Sequence, residues 1–260
     1  MITFSVITIT YNAADVLQPT LDSVLMQDFP TVEHIIVDGA STDNTVTIAE
    51  AYKDMSDSAE NEHIVRIYSE PDKGLYDAMN KGLVRAKGDY VVFLNAGDRF
   101  PTADTLEKVA LAAEVGDGEE RPAVVYGNTD IIDEKGNFLY HRRLQLPEKL
   151  TWRSFRDGML VCHQAFYARL DIARKTPFDT HYRYSADVDW CIKIMREGER
   201  KGLLLRNVHA VIANYMEEGQ TTLHHRASLR ERFQVMCKHY GVFPTLAKHI
   251  WFVVRKLIKQ

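Results

Sequence analysis

The strongest constraint on the fold is an alternation running through the first 115 residues. Short apolar runs at residues 4–10, 34–37, 64–69 and 90–94 are separated by stretches with helical spacing at 15–26, 75–86 and 103–115, and by a helix expected from about Asn44. The β-rich runs predict strands, and Val16, Leu17, Leu21, Val24 and Leu25 repeat at the period of a helix with one buried face. Ser41 and Asp43 are candidate caps for the helix near Asn44, and the acidic stretch 54–62 reads as a surface loop. Strands alternating with helices predict an α/β fold around a doubly wound, mostly parallel sheet with right-handed crossovers.

After residues 116–121 the pattern changes. Residues 124–126 and 131–132 flank Gly127-Asn128, and a turn at 133–137 leads to 138–140, which reads as antiparallel or edge strands added to the sheet. Helices are expected at 187–197, 225–240 and 244–259. This divides the chain into a main domain, residues 1–222, in two halves, 1–115 and 116–222, and a C-terminal helical segment, residues 223–260.

Ligands of open α/β sheets bind outside the carboxyl ends of the strands. The four strand ends here carry Thr10-Tyr11-Asn12, Asp38-Gly39-Ala40-Ser41, Glu70-Pro71-Asp72-Lys73-Gly74 and Asn95-Ala96-Gly97-Asp98. A single carboxylate after a strand is ordinarily a helix cap. Several converging ones repel unless a cation or donor-rich ligand lies among them, and Mg²⁺ or Mn²⁺ commonly shares its shell with a substrate diphosphate. No G-x-x-x-x-G-K-[ST] loop is present and no G-x-G-x-x-G follows the first strand. That excludes a P-loop nucleotidase and disfavours a dinucleotide-binding dehydrogenase.

Composition removes further classes. A formal net charge of −4 argues against nucleic acid as a partner. Cys162, Cys191 and Cys237 are widely spaced, which fits neither a disulfide framework nor a structural zinc site and suits a reducing cytoplasm. The first eleven residues read as a strand rather than a signal peptide, and no apolar stretch approaches the roughly 20 residues that span a bilayer.

The motifs Ser5-Val6-Ile7-Thr8-Ile9-Thr10-Tyr11-Asn12 and Val37-Asp38-Gly39-Ala40-Ser41-Thr42-Asp43-Asn44-Thr45 resemble the opening of family 2 glycosyltransferases of the GT-A fold. Glu70-Pro71-Asp72-Lys73-Gly74-Leu75-Tyr76-Asp77-Ala78-Met79-Asn80-Lys81-Gly82 and Gly88-Asp89-Tyr90-Val91-Val92-Phe93-Leu94-Asn95-Ala96-Gly97-Asp98 are similar to a bacterial branch that makes cell-surface polysaccharides. The resemblance is specific over about the first hundred residues and looser to about residue 220. It implies that Thr10, Tyr11, Asn12 and Asp38 hold the nucleotide, with Asp72, Lys73 and Asn95 near the ribose and diphosphate. Asp98 is the implied ligand of Mn²⁺ or Mg²⁺, although Gly97 stands where a first acid is usual. Val161-Cys162-His163-Gln164-Ala165 resembles a segment lining the acceptor side, which brings in His163 and Gln164. In Tyr184-Ser185-Ala186-Asp187-Val188-Asp189-Trp190, Asp187 matches the catalytic base, Ala186 replaces the usual Glu, and Asp189 falls on the acceptor side. Gly219-Gln220-Thr221-Thr222 matches a glycine-rich segment near the donor phosphates.

Plain alternatives exist for each: a helix cap for Asp98 or Asp187, a strand-end aromatic for Tyr11, a surface lysine for Lys73, and structural roles for His163, His209, His224 and His225. The expected reaction is inverting transfer of a sugar from a nucleoside diphosphate, with UDP favoured by resemblance, to an acceptor hydroxyl on a glycan or lipid-linked glycan. A sugar nucleotidyltransferase or a non-catalytic sugar-binding scaffold is the alternative. In the last segment Leu246, Ile250, Val253, Val254 and Leu257 form an apolar stripe, with Lys248, Arg255 and Lys259 on another side. Two settings suit it: the inner face of a membrane, where Trp251 favours the interface, or packing against the catalytic domain or a partner.

Overall fold

The computed structural model describes residues 2–59, 61–114, 119–217 and 225–258. Its centre is one sheet of order β3-β2-β1-β4-β7-β5-β6, with β8 along the other edge of β5. The strands are β1 (Phe4–Thr10), β2 (Val32–Asp38), β3 (Ile64–Ser69), β4 (Tyr90–Phe93), β5 (Val124–Ile132), β6 (Phe138–His141), β7 (Phe166–Arg169) and β8 (Leu205–Met216). Strands β1 to β4 pair in parallel, β7 is antiparallel to both β4 and β5, and β8 is parallel to β5.

The helices are α1 (Ala14–Leu25), α2 (Thr45–Ser58), α3 (Leu75–Arg85), α4 (Thr105–Ala113), α5 (Leu170–Ala173) and α6 (Ala186–Arg200), then α7 (His225–Tyr240) and α8 (Val242–Ile258). Alternation along β2 assigns the layers, because successive side chains of a strand point to opposite faces. Ile36 packs with Leu17, Leu21 and Tyr52 of the α1–α2 layer. Ile35 and Val37 join the main core with Met79 and Leu83 of α3. Both faces of β1, β2 and β4 are covered, so these strands are buried along their whole length, and their polar residues, Ser5, Thr8, Glu33 and His34 among them, are hydrogen-bonded to one another or to neighbouring elements.

Three sequence expectations are corrected. The acidic stretch 54–62 is helical as far as Ser58: Tyr52 and Ser56 are buried while the acids point outward, and Lys53 pairs with Asp57 one turn on. Residues 124–132 form one strand rather than two. Gly127-Asn128 sits where the pairing with β8 shifts register, so the backbone kinks without breaking the ladder. Strands β7 and β8 were not anticipated, since Phe166–Arg169 is only four residues long and Leu205–Met216 lacks a clean two-residue alternation. The glycine-rich motif at 219–222 lies outside the described residues.

Candidate active site

The carboxyl ends of β1, β2 and β3 meet around Asp38, which is 1 % exposed. Thr10 Oγ1 donates to its Oδ1 at 3.0 Å, as does the Ser41 hydroxyl. Its Oδ2 accepts from Ser41 N at 2.9 Å and from Ser69 Oγ at 2.7 Å. Burial alone would raise the Asp38 pKa; the bonds from Ser41, Ser69 and Thr10 outweigh it and hold the group below the usual carboxylate range. Asp38 is therefore a fixed anion at the rim of the sheet.

Tyr11 is next to it and 65 % exposed, an aromatic face open to a planar ligand. A Cβ on Gly39 would press on the Asp72 carboxylate and the Tyr11 ring and displace these two side chains. Asp72 Oδ1 accepts from Gly74 N at 2.7 Å, while Lys73 is exposed in the same loop. Asn12 (φ 47°) and Ala40 (φ 61°) hold left-handed conformations at the ends of β1 and β2. For non-glycine residues this conformation stores strain and collects at functional sites. Asn12 ties the two loops together: its Oδ1 accepts from Thr42 N at 2.9 Å, and its N–H donates to Ser41 Oγ at 2.8 Å. Of the two candidate caps for α2, Asp43 accepts from Thr45 N at 3.0 Å, whereas Ser41 is turned to Asp38.

Beyond β4 the loop Asn95-Ala96-Gly97-Asp98 carries the second cluster. Asp98 is 5 % exposed; Gln164 Nε2 donates to its Oδ2 at 2.9 Å and Met216 N to its Oδ1 at 3.2 Å. Burial pushes its pKa up to about 6, against the opposing bond from Gln164 and the nearby His163. Gly97 explains the departure at the first acid position: it has φ +97° and a Cβ there would meet Met216, so this turn packs against β8.

The third group joins the two halves of the chain. Asp187, in the first turn of α6, accepts from Tyr76 Oη at 3.1 Å, and its Oδ2 lies 3.4 Å from His163 Nδ1. Ser185 rather than Asp187 holds the N-cap position of α6. Burial opposes ionisation of Asp187, but His163 and Arg232 prevail and its pKa is lowered. His163 Nε2 lies 3.3 Å from Asn95 Nδ2, so His163 links Asp187 to the β4 loop. Asn95 Oδ1 is buried and has no hydrogen-bond partner among the described residues.

That orphaned oxygen beside a desolvated carboxylate is the feature a hard cation fits. Among the described residues no group of three His, Cys, Asp or Glu could hold a metal alone. A cation here would complete its shell with ligand oxygens, as Mg²⁺ and Mn²⁺ do when they carry a diphosphate. His209 is exposed at φ 58° and apart from this cluster; His224 lies outside the described residues.

Asp189 is not at the cluster. It is fully buried between α6 and α7, bonded by His239 at 2.8 Å, by Lys193, and by Lys238 at 3.2 Å. In an α-helix residues i and i+2 do not share a face, so Asp187 and Asp189 diverge. The acceptor-side expectation for Asp189 gives way to a role in fastening α7. Tyr76, Ser41 and Ser69 were missed as contributors. Tyr76 lies within a quoted motif but looks like a core aromatic, and its hydroxyl finds Asp187 only through a contact spanning 111 positions.

The chain matches the family described as Glycosyl transferase family 2 over residues 5–175. It is similar to a PGL/p-HBAD biosynthesis glycosyltransferase of Mycobacterium bovis (strain BCG / Pasteur 1173P2), 37% identical over 220 residues, 83% of this chain and 77% of that one. Among solved structures it is similar to S. aureus TarS 1-349 in complex with UDP-GlcNAc, with TM-score 0.70 and 18% identity, covering 96% of this chain and 73% of that one. It is also similar to the mannosyltransferase PcManGT from Pyrobaculum calidifontis in complex with GDP-Man and Mn2+, with TM-score 0.63 and 19% identity, covering 95% and 74%. These structures share the fold, a mostly parallel α/β sheet of the GT-A type with added antiparallel strands. Matched over most of its catalytic core and carrying that core's buried carboxylates at the strand ends, the chain belongs to glycosyl transferase family 2.

Proposed function

We propose that the protein is an inverting glycosyltransferase that moves a sugar from a uridine diphosphate donor to a hydroxyl of a glycan or lipid-linked glycan in cell-surface polysaccharide synthesis. The observation that carries this reading is the convergence of Asp38, Asp98 and Asp187 at one end of the sheet, each in a different environment. Residues 1–115 supply the donor half and 116–222 the acceptor half. Asp38 and Thr10 read the base, Tyr11 stacks on it, and Asp72 and Lys73 face the ribose and diphosphate. The UDP-GlcNAc complex of TarS supports a uridine donor; GDP-Man in PcManGT supplies the competing nucleotide.

The chemistry is a single displacement. The bond from the anomeric carbon to the diphosphate oxygen breaks, a bond from that carbon to the acceptor oxygen forms, and the hydroxyl proton passes to Asp187. Tyr76 and His163 orient Asp187 for this transfer, and Gln164 orients Asp98. A divalent cation, Mn²⁺ or Mg²⁺, held by Asp98 with Asn95 Oδ1 would neutralise charge developing on the leaving diphosphate. No enzymic nucleophile is needed.

The enzyme works at the inner face of the membrane, held there by α8. Over residues 242–251 this helix turns its polar residues inward: Thr245 is buried, Lys248 pairs with Asp157 at 2.5 Å, and His249 packs on Phe233 of α7, while the side chains of Val253, Val254 and Leu257 in the expected stripe lie outside the described residues. Val242, Phe243 (86 % exposed), Leu246, Ile250 and Trp251 face outward. A helix that only covered a core would show the opposite arrangement. No helix among the described residues is long and apolar enough to cross a membrane, so the apolar face would lie in the interface. The deciding experiment is a panel of UDP-, GDP- and dTDP-sugars scored for nucleotide release with and without Mn²⁺, beside thermal shifts with the free nucleotides. Metal-dependent UDP release supports the reading. Nucleotide binding without turnover on any donor, with acceptors supplied, would favour a scaffold.

A further inference from the structure

Between the C-terminal half of β5 and the segment leading from β6 to Leu160 lies a cavity of about 220 Å³. We propose that this cavity is a subsite for one neutral sugar ring of the acceptor, next to the ring that carries the attacking hydroxyl. The proposal rests on the transferase reading above.

Position is the first argument. Strand β7 is antiparallel to both β4 and β5, so β5 runs in the direction of β4 and its C-terminal half lies at the catalytic end of the sheet. Arg99, which follows Asp98, bridges to Asn214 of β8. Asn214 pairs with Asp130 of β5, and Asp130 with His141 of β6. Asp130 on the cavity wall is thus two strand spacings from Arg99, roughly 10 Å. That is the reach from a reaction centre to a neighbouring ring of the same glycan.

Chemistry is the second argument. The volume corresponds to about seven waters at ~30 Å³ each, the scale of one pyranose. Leu146 and Leu160 supply an apolar wall for the ring face. Facing them, the Asn128 amide makes no hydrogen bond among the described residues. Gln145 donates to Arg142 O at 2.7 Å, and its own carbonyl oxygen is unengaged among the described residues. Asp130 accepts from His141 Nδ1 at 2.8 Å through Oδ1 alone. A few oriented polar groups against an apolar surface is how small-molecule sites secure both affinity and orientation, and neutral amides matched to Asp130 suit hydroxyls rather than an anion.

Coupling is the third. Arg142 spends its guanidinium on the wall itself, donating to Leu160 O at 2.7 Å and to Met159 O. That segment continues through Cys162 into His163 and Gln164 of the site. A ring seated here would bear on the segment that positions Asp187 and Asp98.

The test is saturation-transfer NMR on the full chain with Mn²⁺ and saturating UDP, using methyl glucoside, galactoside, mannoside, rhamnoside and N-acetylglucosaminide. The wild type should bind at least one glycoside. Gln145→Ala should weaken it at least fivefold, and Asn128→Trp, which fills the cavity, should abolish it, with the UDP thermal shift unchanged in both. If Asn128→Trp does not fold, Gln145→Ala decides alone. Unaltered glycoside binding in the variants, or no glycoside bound while UDP binds, overturns the subsite. Glycoside binding by a wild type that binds no nucleotide overturns its assignment to an acceptor and separately defeats the transferase reading.

Discussion

His34 makes the protein acid-sensitive in a window set by one buried ring. Thr8 Oγ1 donates to Leu94 O at 2.8 Å, which leaves that oxygen to accept from His34 Nε2 at 2.9 Å. Nδ1 therefore carries no hydrogen and accepts from Tyr52 Oη at 2.7 Å. The network closes only around a neutral imidazole. A second proton would make Nδ1 a donor facing the tyrosine oxygen and strand the tyrosine hydrogen in the core. Burial, reinforced by His63, pushes the His34 pKa from 6.5 down to about 3. Between those values the unfolded chain binds a proton that the folded chain refuses. The stabilisation is complete above pH 6.5 and is lost progressively as pH falls towards 3. At 1.36 kcal/mol per unit, the loss from pH 7 to pH 5 is about 2 kcal/mol. His34→Gln keeps a donor for Thr8 and an acceptor for Tyr52 but cannot titrate. Urea unfolding of both proteins at pH 7, 6 and 5 should show the wild type losing about 2 kcal/mol more than the variant. Because His63 is present in both, it largely cancels in the difference. Parallel stability–pH curves would refute the argument. The consequence reaches the site, since β1 and β2, which this network joins to α2, end at Thr10 and Asp38.

Four further outcomes follow from the site. Asp98→Asn, which keeps the volume of this buried side chain and one of its two acceptor oxygens, should abolish Mn²⁺-dependent turnover with an unchanged circular dichroism spectrum; wild-type turnover would remove Asp98 as a ligand. Asp187→Asn should retain the UDP thermal shift and lower kcat by about 10²- to 10⁴-fold. If Asp189→Asn, also folded and binding UDP, proves the slower enzyme, the base has been misassigned. Asp38→Ala should raise the donor KM by more than it lowers kcat, as a contact far from the anomeric carbon contributes mainly uniform binding; an unchanged KM would place Asp38 outside the donor site. Truncation after Gly241 should abolish salt-sensitive flotation with anionic liposomes, and equal flotation of the truncated chain would reject docking through α8.

The sequence alone determined the parallel half of the sheet and the strand ends at which its buried carboxylates stand. Short β-rich runs with apolar centres, closed by small and acidic residues, are local signals, so Asp38 and Asp98 could be placed at strand ends before any contact was known. The family, too, was legible in contiguous motifs. Tertiary structure decided what each carboxylate does. Asp187 and Asp189 are indistinguishable in a string, yet one meets Tyr76 and His163 beside the β4 loop and the other is spent on His239, Lys193 and Lys238. The order β4-β7-β5, which inserts a later strand between earlier ones, likewise has no local signature. Nor does the outward turn of α8, since periodicity shows that a helix has two faces but not which one its neighbours cover. Ionisation, metal affinity and packing depend on groups brought together from distant positions, and only the folded chain specifies which groups those are.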